Sequence, residues 1–105
     1  MSFLSRLFGG PQFSSADEIK EQLEAGALIL DVRTEQEFAQ GKIKNAVNIP
    51  VQVLGQYTSD VKKLNKLVVV YCRSGVRAGT ATKILNNAGL EAYNAGGLSD
   101  LQALM

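Results

Sequence analysis

Residues 67–77 have the sequence LVVVYCRSGVR, in which an apolar run ends at Cys72 and a short basic loop containing a glycine follows. The valine-rich run is typical of a buried strand, and the apolar residues of 78–88 recur at helical spacing. Cys72, the only cysteine of the chain, is therefore predicted to lie on a turn between a strand and a helix. Such a turn is a position at which chemistry is commonly placed.

The rest of the chain alternates strand and helix signals in the same way. Two capping boxes, Ser15 to Glu18 and Thr34 to Glu37, predict the starts of two helices. The other predicted strands are 28–32, 46–50 and 91–93, and the other predicted helices are 51–57, 78–88 and one that begins at Leu98. Strands that alternate with helices imply an α/β fold, which we predict to be a small doubly wound parallel sheet with helices on both faces.

The 105 residues suffice for one small domain, which we predict to span residues 11–105. Residues 1–10 form an N-terminal tail that contains four apolar side chains, Phe3, Leu4, Leu7 and Phe8. This tail is too short and too interrupted for a signal sequence or a membrane span. Its apolar side chains would share one side of a helix, which leaves a docking tail and a frayed terminus as alternatives.

Composition excludes several classes of chemistry. The chain has no histidine and one cysteine, so catalysis by histidine, most zinc sites and an intramolecular disulfide are all excluded. A net charge of +1 predicts no nucleic-acid or membrane partner. A lone thiol that has to act as a nucleophile is best suited to a reducing compartment, so we expect a cytoplasmic protein.

The loop after Cys72 favours the ionised thiolate. Backbone N–H groups of the turn and of the first helical turn would point at the sulfur, and Arg73 and Arg77 add two positive charges. The alternative is that Cys72 only fills the core, as free cysteines at strand ends often do. Two guanidinium groups and a glycine within five positions favour the nucleophile, because a core cysteine has no use for them.

The carboxyl ends of parallel strands lie at one edge of a sheet, where ligands bind. Asp31, Cys72 and a turn at residues 94–97, which its glycines predict to be flexible, all fall at such ends. Asp31 is either a partner of Arg77 that holds the loop in shape or a surface carboxylate beside the next helix.

Four motifs occur in the order in which they occur in one known family. They are DVRTEQEF at 31–38, GKIKNAVNIP at 41–50, YCRSGVR at 71–77 and AGL at 88–90 with the glycine pair 96–97. The chain resembles a single-domain rhodanese over nearly everything after residue 10. It departs from the family's pattern at Lys42, where histidine is common, and at 98–101, where a tryptophan often follows the glycine pair.

The resemblance implies sulfur transfer from thiosulfate, or from a related donor such as a partner protein's persulfide, to cyanide or a thiol. Cys72 would attack the outer sulfur of the donor, and the amides of the loop residues Arg73, Ser74, Gly75, Val76 and Arg77 would hold the persulfide. No metal and no organic cofactor are implied. One alternative is a binding module on the same scaffold, which would not turn over. A phosphatase or arsenate reductase is the other, but its loop has five residues between cysteine and arginine rather than the four found here.

Overall fold

A computed structural model describes residues 13–105, so the predicted N-terminal tail lies outside the described residues. Four parallel strands form one sheet in the order β2-β1-β3-β4. Their bounds are Leu28–Asp31 for β1, Val47–Asn48 for β2, Val68–Cys72 for β3 and Ala92–Gly97 for β4. Every residue of the central strand β3 is buried, which explains why its sequence is an unbroken apolar run. This run carries Cys72 to the carboxyl edge of the sheet.

Five α-helices surround the sheet in the described residues. They are α1 at Ala16–Glu24, α2 at Glu35–Gln40, α3 at Thr58–Lys63, α4 at Val76–Asn87 and α5 at Leu98–Gln102, with a 3₁₀ helix at Leu54–Gln56. Val68 and Val70 face a core built with α3 and α4, whereas Val69 and Tyr71 face a second core built with α1 and α5. Helices therefore cover both faces, and the predicted doubly wound α/β fold is confirmed.

The two capping boxes placed the starts of α1 and α2 correctly. Both predicted capping boxes are present, with the Ser15 side chain accepting from the Glu18 N–H and the Thr34 side chain accepting from the Glu37 N–H. Helix α4 begins at Val76, two residues before the predicted start, because Gly75 adopts φ +103° and serves as the N-cap. The first turn of α4 therefore lies next to Cys72.

Two predictions of secondary structure were wrong, and one helix was not predicted. The last strand was expected to end at Tyr93 in a flexible turn, but β4 continues through Gly97 and most of it is buried, since it pairs with β3 behind the cysteine loop. Helix α3 falls in a stretch with a weak apolar pattern, where Val61 alone is buried. The helix predicted at 51–57 is only a 3₁₀ turn at 54–56.

The two outer strands differ in length and in their neighbours. Strand β2 has only two residues. Strand β4 receives a backbone hydrogen bond on its outer side, from the Ser14 N–H to the Asn94 carbonyl at 3.0 Å. Among the described residues, no helix is both long enough and apolar enough to cross a membrane.

Candidate active site

Cys72 lies at the carboxyl end of β3, with its side chain turned into the loop that follows. Its Sγ accepts hydrogen bonds from the Gly75 N–H at 2.9 Å and from the Ala78 N–H at 3.3 Å. Cys72 is 1% exposed, so the sulfur lies inside the loop rather than on the open surface. Two convergent N–H donors at a helix N-terminus form a cradle for a negatively charged sulfur atom.

Of the loop residues 73–77 that were predicted to hold the persulfide, Gly75 is the one whose N–H donates to Cys72 Sγ. The second donor, Ala78, lies one residue beyond the predicted set. Ala78 was missed because the sequence placed the start of α4 two residues too late. A helix that begins at Val76 directs the free N–H groups of its first turn towards the sulfur.

Strand β4 supports the loop from behind at very close range. A Cβ atom built on Gly97 would collide with the Arg73 carbonyl oxygen and would lie 2.9 Å from its carbon. A Cβ atom on Gly75 would meet the Phe13 ring on one side and the Gly96 Cα atom at 3.2 Å on the other. The glycine pair 96–97 is therefore a packing surface for the loop, and the flexible turn expected from the sequence is absent.

Arg77 pairs with Glu37 of α2 rather than with Asp31, so the proposed Asp31–Arg77 contact is wrong. The guanidinium donates to the two carboxylate oxygens of Glu37 at 2.6 and 2.9 Å. Hydrogen bonding to Arg77 is the main reason that the pKa of Glu37 falls from its usual 4.5 to about 2, and a hydrogen bond from the Thr34 N–H is the second reason. The pKa of Arg77 is raised, mainly by its hydrogen bond to Glu37. The charge of Arg77 is thus largely offset within the protein.

Asp31 is buried and pairs with Arg33, two residues along the chain. The Arg33 guanidinium donates to Asp31 at 2.7, 3.0 and 3.1 Å and to the Gly41 carbonyl at 2.6 Å. The neighbouring Tyr71 hydroxyl accepts from the Ile43 N–H at 3.1 Å, and burial is the main reason that the pKa of Tyr71 rises to about 12. Asp31 is therefore neither a partner of the loop nor a surface carboxylate, but part of a buried network below the sheet edge.

Arg73 supplies the free positive charge of the loop. It makes no ion pair with any residue of 13–105, and it lines a cleft of about 340 Å³. Glu37 and Gln40 of α2 and Leu98 and Ser99 of α5 form much of the remaining wall. Leu98 follows the glycine pair, where the family often has tryptophan, so this departure changes the wall of the cleft.

Lys42, at the other departure from the family's pattern, lies beside Phe38 of α2. Its Nζ atom lies 4.5 Å from the centre of the Phe38 ring. Among the described residues, no group of three or more cysteine, aspartate or glutamate side chains could hold a metal ion.

The chain is similar to known proteins in sequence and in structure. A sequence model of the rhodanese-like domain matches residues 15–104. Thiosulfate sulfurtransferase PspE of Escherichia coli is 36% identical over 74 residues, which are 69% of this chain and 71% of PspE. A sulfurtransferase of Allochromatium vinosum is 39% identical over 62 residues, 59% of this chain and 57% of that protein. The structure of human single-domain sulfurtransferase TSTD1 aligns with a TM-score of 0.66 and 28% identity, covering 90% of this chain and 97% of TSTD1.

Proposed function

Since this chain belongs to the rhodanese-like domain family, we propose that it is a sulfurtransferase in which Cys72 carries the transferred sulfur as a persulfide. The observation that supports this most directly is the pair of N–H groups on Cys72 Sγ, from Gly75 and Ala78. Such donors stabilise the anionic thiolate before transfer and the anionic persulfide after it. A cysteine that only filled the core would need neither donor.

The proposed reaction has two steps with thiosulfate as donor. The Cys72 thiolate attacks the outer sulfur, a new S–S bond forms, and the S–S bond of thiosulfate breaks so that sulfite leaves with the electron pair. A cyanide ion or a thiolate then attacks the outer sulfur of the persulfide and releases the Cys72 thiolate. Neither step needs a proton from a side chain, which suits a chain without histidine, and covalent storage predicts ping-pong kinetics.

The charges around the loop support a small anionic donor. Arg73 is free to attract it and to stabilise the sulfite that leaves, whereas the charge of Arg77 is already committed to Glu37. The cleft beside Arg73 also has room for a donor or acceptor larger than thiosulfate, including a thiol or the end of a partner protein's persulfide-bearing loop.

We further propose a reducing compartment, the cytoplasm, as the setting. A thiolate that must stay free between turnovers is preserved where glutathione and thioredoxin keep cysteines reduced.

The proposal is tested by mass spectrometry of the intact protein after incubation with thiosulfate. We expect one added sulfur atom, which a thiol reductant removes, and thiocyanate when cyanide is present. Cys72→Ser is the matched control: it should keep the circular dichroism spectrum of the parent and gain no sulfur. A folded parent that takes no sulfur from thiosulfate or a persulfide donor would instead support the binding-module alternative.

A further inference from the structure

Asn94 is a buried polar side chain in the middle of β4, 1% exposed. Its amide nitrogen donates to the Gly75 carbonyl at 3.1 Å, and its amide oxygen accepts from the Gly96 N–H at 2.8 Å. Both hydrogen-bonding ends of the amide are therefore occupied, and its orientation is fixed by one donor and one acceptor. The contact to Gly75 joins the sheet to the cysteine loop.

Gly75 is held at both of its backbone polar groups. Its N–H points at Cys72 Sγ, and its carbonyl accepts from Asn94 and from the Gly79 N–H at 2.9 Å. The φ angle of +103° belongs to a region in which glycine has several neighbouring conformations of similar energy. Since glycine adopts positive and negative φ about equally, the two hydrogen bonds to the carbonyl restrict the conformation that directs the N–H at the sulfur.

We propose that Asn94 is a positioning residue for Cys72: by holding the Gly75 carbonyl, it fixes the Gly75 N–H in place to stabilise the negatively charged sulfur. The proposal rests on the proposed function for its place in sulfur transfer, but the geometry acts on the thiolate itself. Loss of Asn94 should therefore change the reactivity of Cys72 towards any electrophile, including one that transfers no sulfur.

Asn86 of α4 provides a matched control. Its side-chain oxygen accepts from the Ala92 N–H at 3.2 Å, so it too ties α4 to β4, at the end of α4 far from the loop. Substitution of either asparagine removes a tie between the same two elements. Of the two asparagines, Asn94 is the one that bonds to Gly75, which is one of the two donors to Cys72 Sγ.

The experiment compares Asn94→Ser and Asn86→Ser with the parent. Serine is one bond shorter than asparagine, so its hydroxyl does not reach the Gly75 carbonyl. The readout is the rate of Cys72 alkylation by iodoacetamide as a function of pH, with urea unfolding measured on the same samples. Asn94→Leu, which keeps the volume, serves as a second variant where the serine variant does not fold.

We expect the Asn94 variants to alkylate about tenfold more slowly than the parent at neutral pH, because a displaced N–H donor stabilises the thiolate less. They should also reach half of their maximal rate at a higher pH than the parent does. Asn86→Ser should lose stability and keep the pH profile of the parent. Folded Asn94 variants with the parent's rate and pH profile would overturn the proposal, as would an equal shift in Asn86→Ser. A parent that accepts no sulfur would count against the proposed function and leave this comparison valid, because alkylation uses no sulfur donor.

Discussion

Substitution of Gly97 by alanine tests whether close support from β4 sets the shape of the sulfur cradle. Gly97 has φ −93° and ψ 171°, which alanine adopts without strain. The only obstacle is the Arg73 carbonyl group, whose oxygen the new methyl would strike and whose carbon would lie at 2.9 Å, against 3.4 Å or more in an ordinary contact. Either the loop or β4 must therefore move.

The size of the effect follows from that overlap. Inserting a methyl group into a closely packed site costs about 1–3 kcal/mol in the free energy of unfolding. A displacement of several tenths of an ångström at Arg73 is passed along the loop to Gly75, whose N–H lies 2.9 Å from Cys72 Sγ. We expect kcat/KM for sulfur transfer to fall by about 10- to 100-fold, since donors of this kind lose effect steeply with distance.

The assay is thiocyanate formation from thiosulfate and cyanide, with urea unfolding of the same protein. Gly55→Ala is the control, because a Cβ atom there has nothing within 4 Å, and we expect it to keep the activity and stability of the parent. If Gly97→Ala transfers sulfur at the parent's rate with unchanged stability, β4 does not fix the loop and the reasoning is wrong.

Two further predictions concern acid stability and loop size. The pKa of Glu37 in the folded protein is about 2, below its usual 4.5, so its pairing with Arg77 stabilises the fold above about pH 4.5 and is lost as the pH falls towards 2. For this partly exposed pair we expect the free energy of unfolding to fall by about 1 kcal/mol between pH 5 and pH 2, as measured by urea unfolding. Glu37→Gln should lack this contribution, and an equal loss in that variant would contradict the assignment. For loop size, inserting one glycine after Ser74 should weaken sulfur transfer, and the parent should not hydrolyse aryl phosphates, because six residues from Cys72 to Arg77 leave room for a sulfur atom but not for phosphate. Phosphatase turnover by the parent, or full sulfur transfer by the enlarged loop, would show that loop size does not set the chemistry.

The features that could be predicted from sequence are those that neighbouring residues determine. A capping box joins residues three apart, such as Thr34 and Glu37, and the burial of β3 follows from its own apolar run. The position of Cys72 on a strand-to-helix turn is equally local. Because these signals alternate along the chain, the parallel α/β fold follows from them.

The features that were missed depend on contacts between distant residues. Arg77 and Glu37 are forty positions apart, and no spacing in the sequence connects them. The glycines at 96–97 resemble a turn by composition, whereas the structure uses their lack of side chains to bring two backbones together. Asp31 is the exception, because its partner Arg33 is only two residues along the chain. Its place at the end of a strand suggests a residue of the site, and the sequence does not reveal that both side chains are buried as a pair.

The two outer strands have a consequence for how this protein meets other molecules. A long open strand edge invites a second chain to add to the sheet, which leads to aggregation. Here β2 offers two residues, and the edge of β4 is already engaged by Ser14. In the proposed sulfur transfer each cycle needs two productive encounters. The short edge at β2 and the hydrogen bond at the edge of β4 leave fewer backbone groups with which another copy of the chain could pair during those encounters.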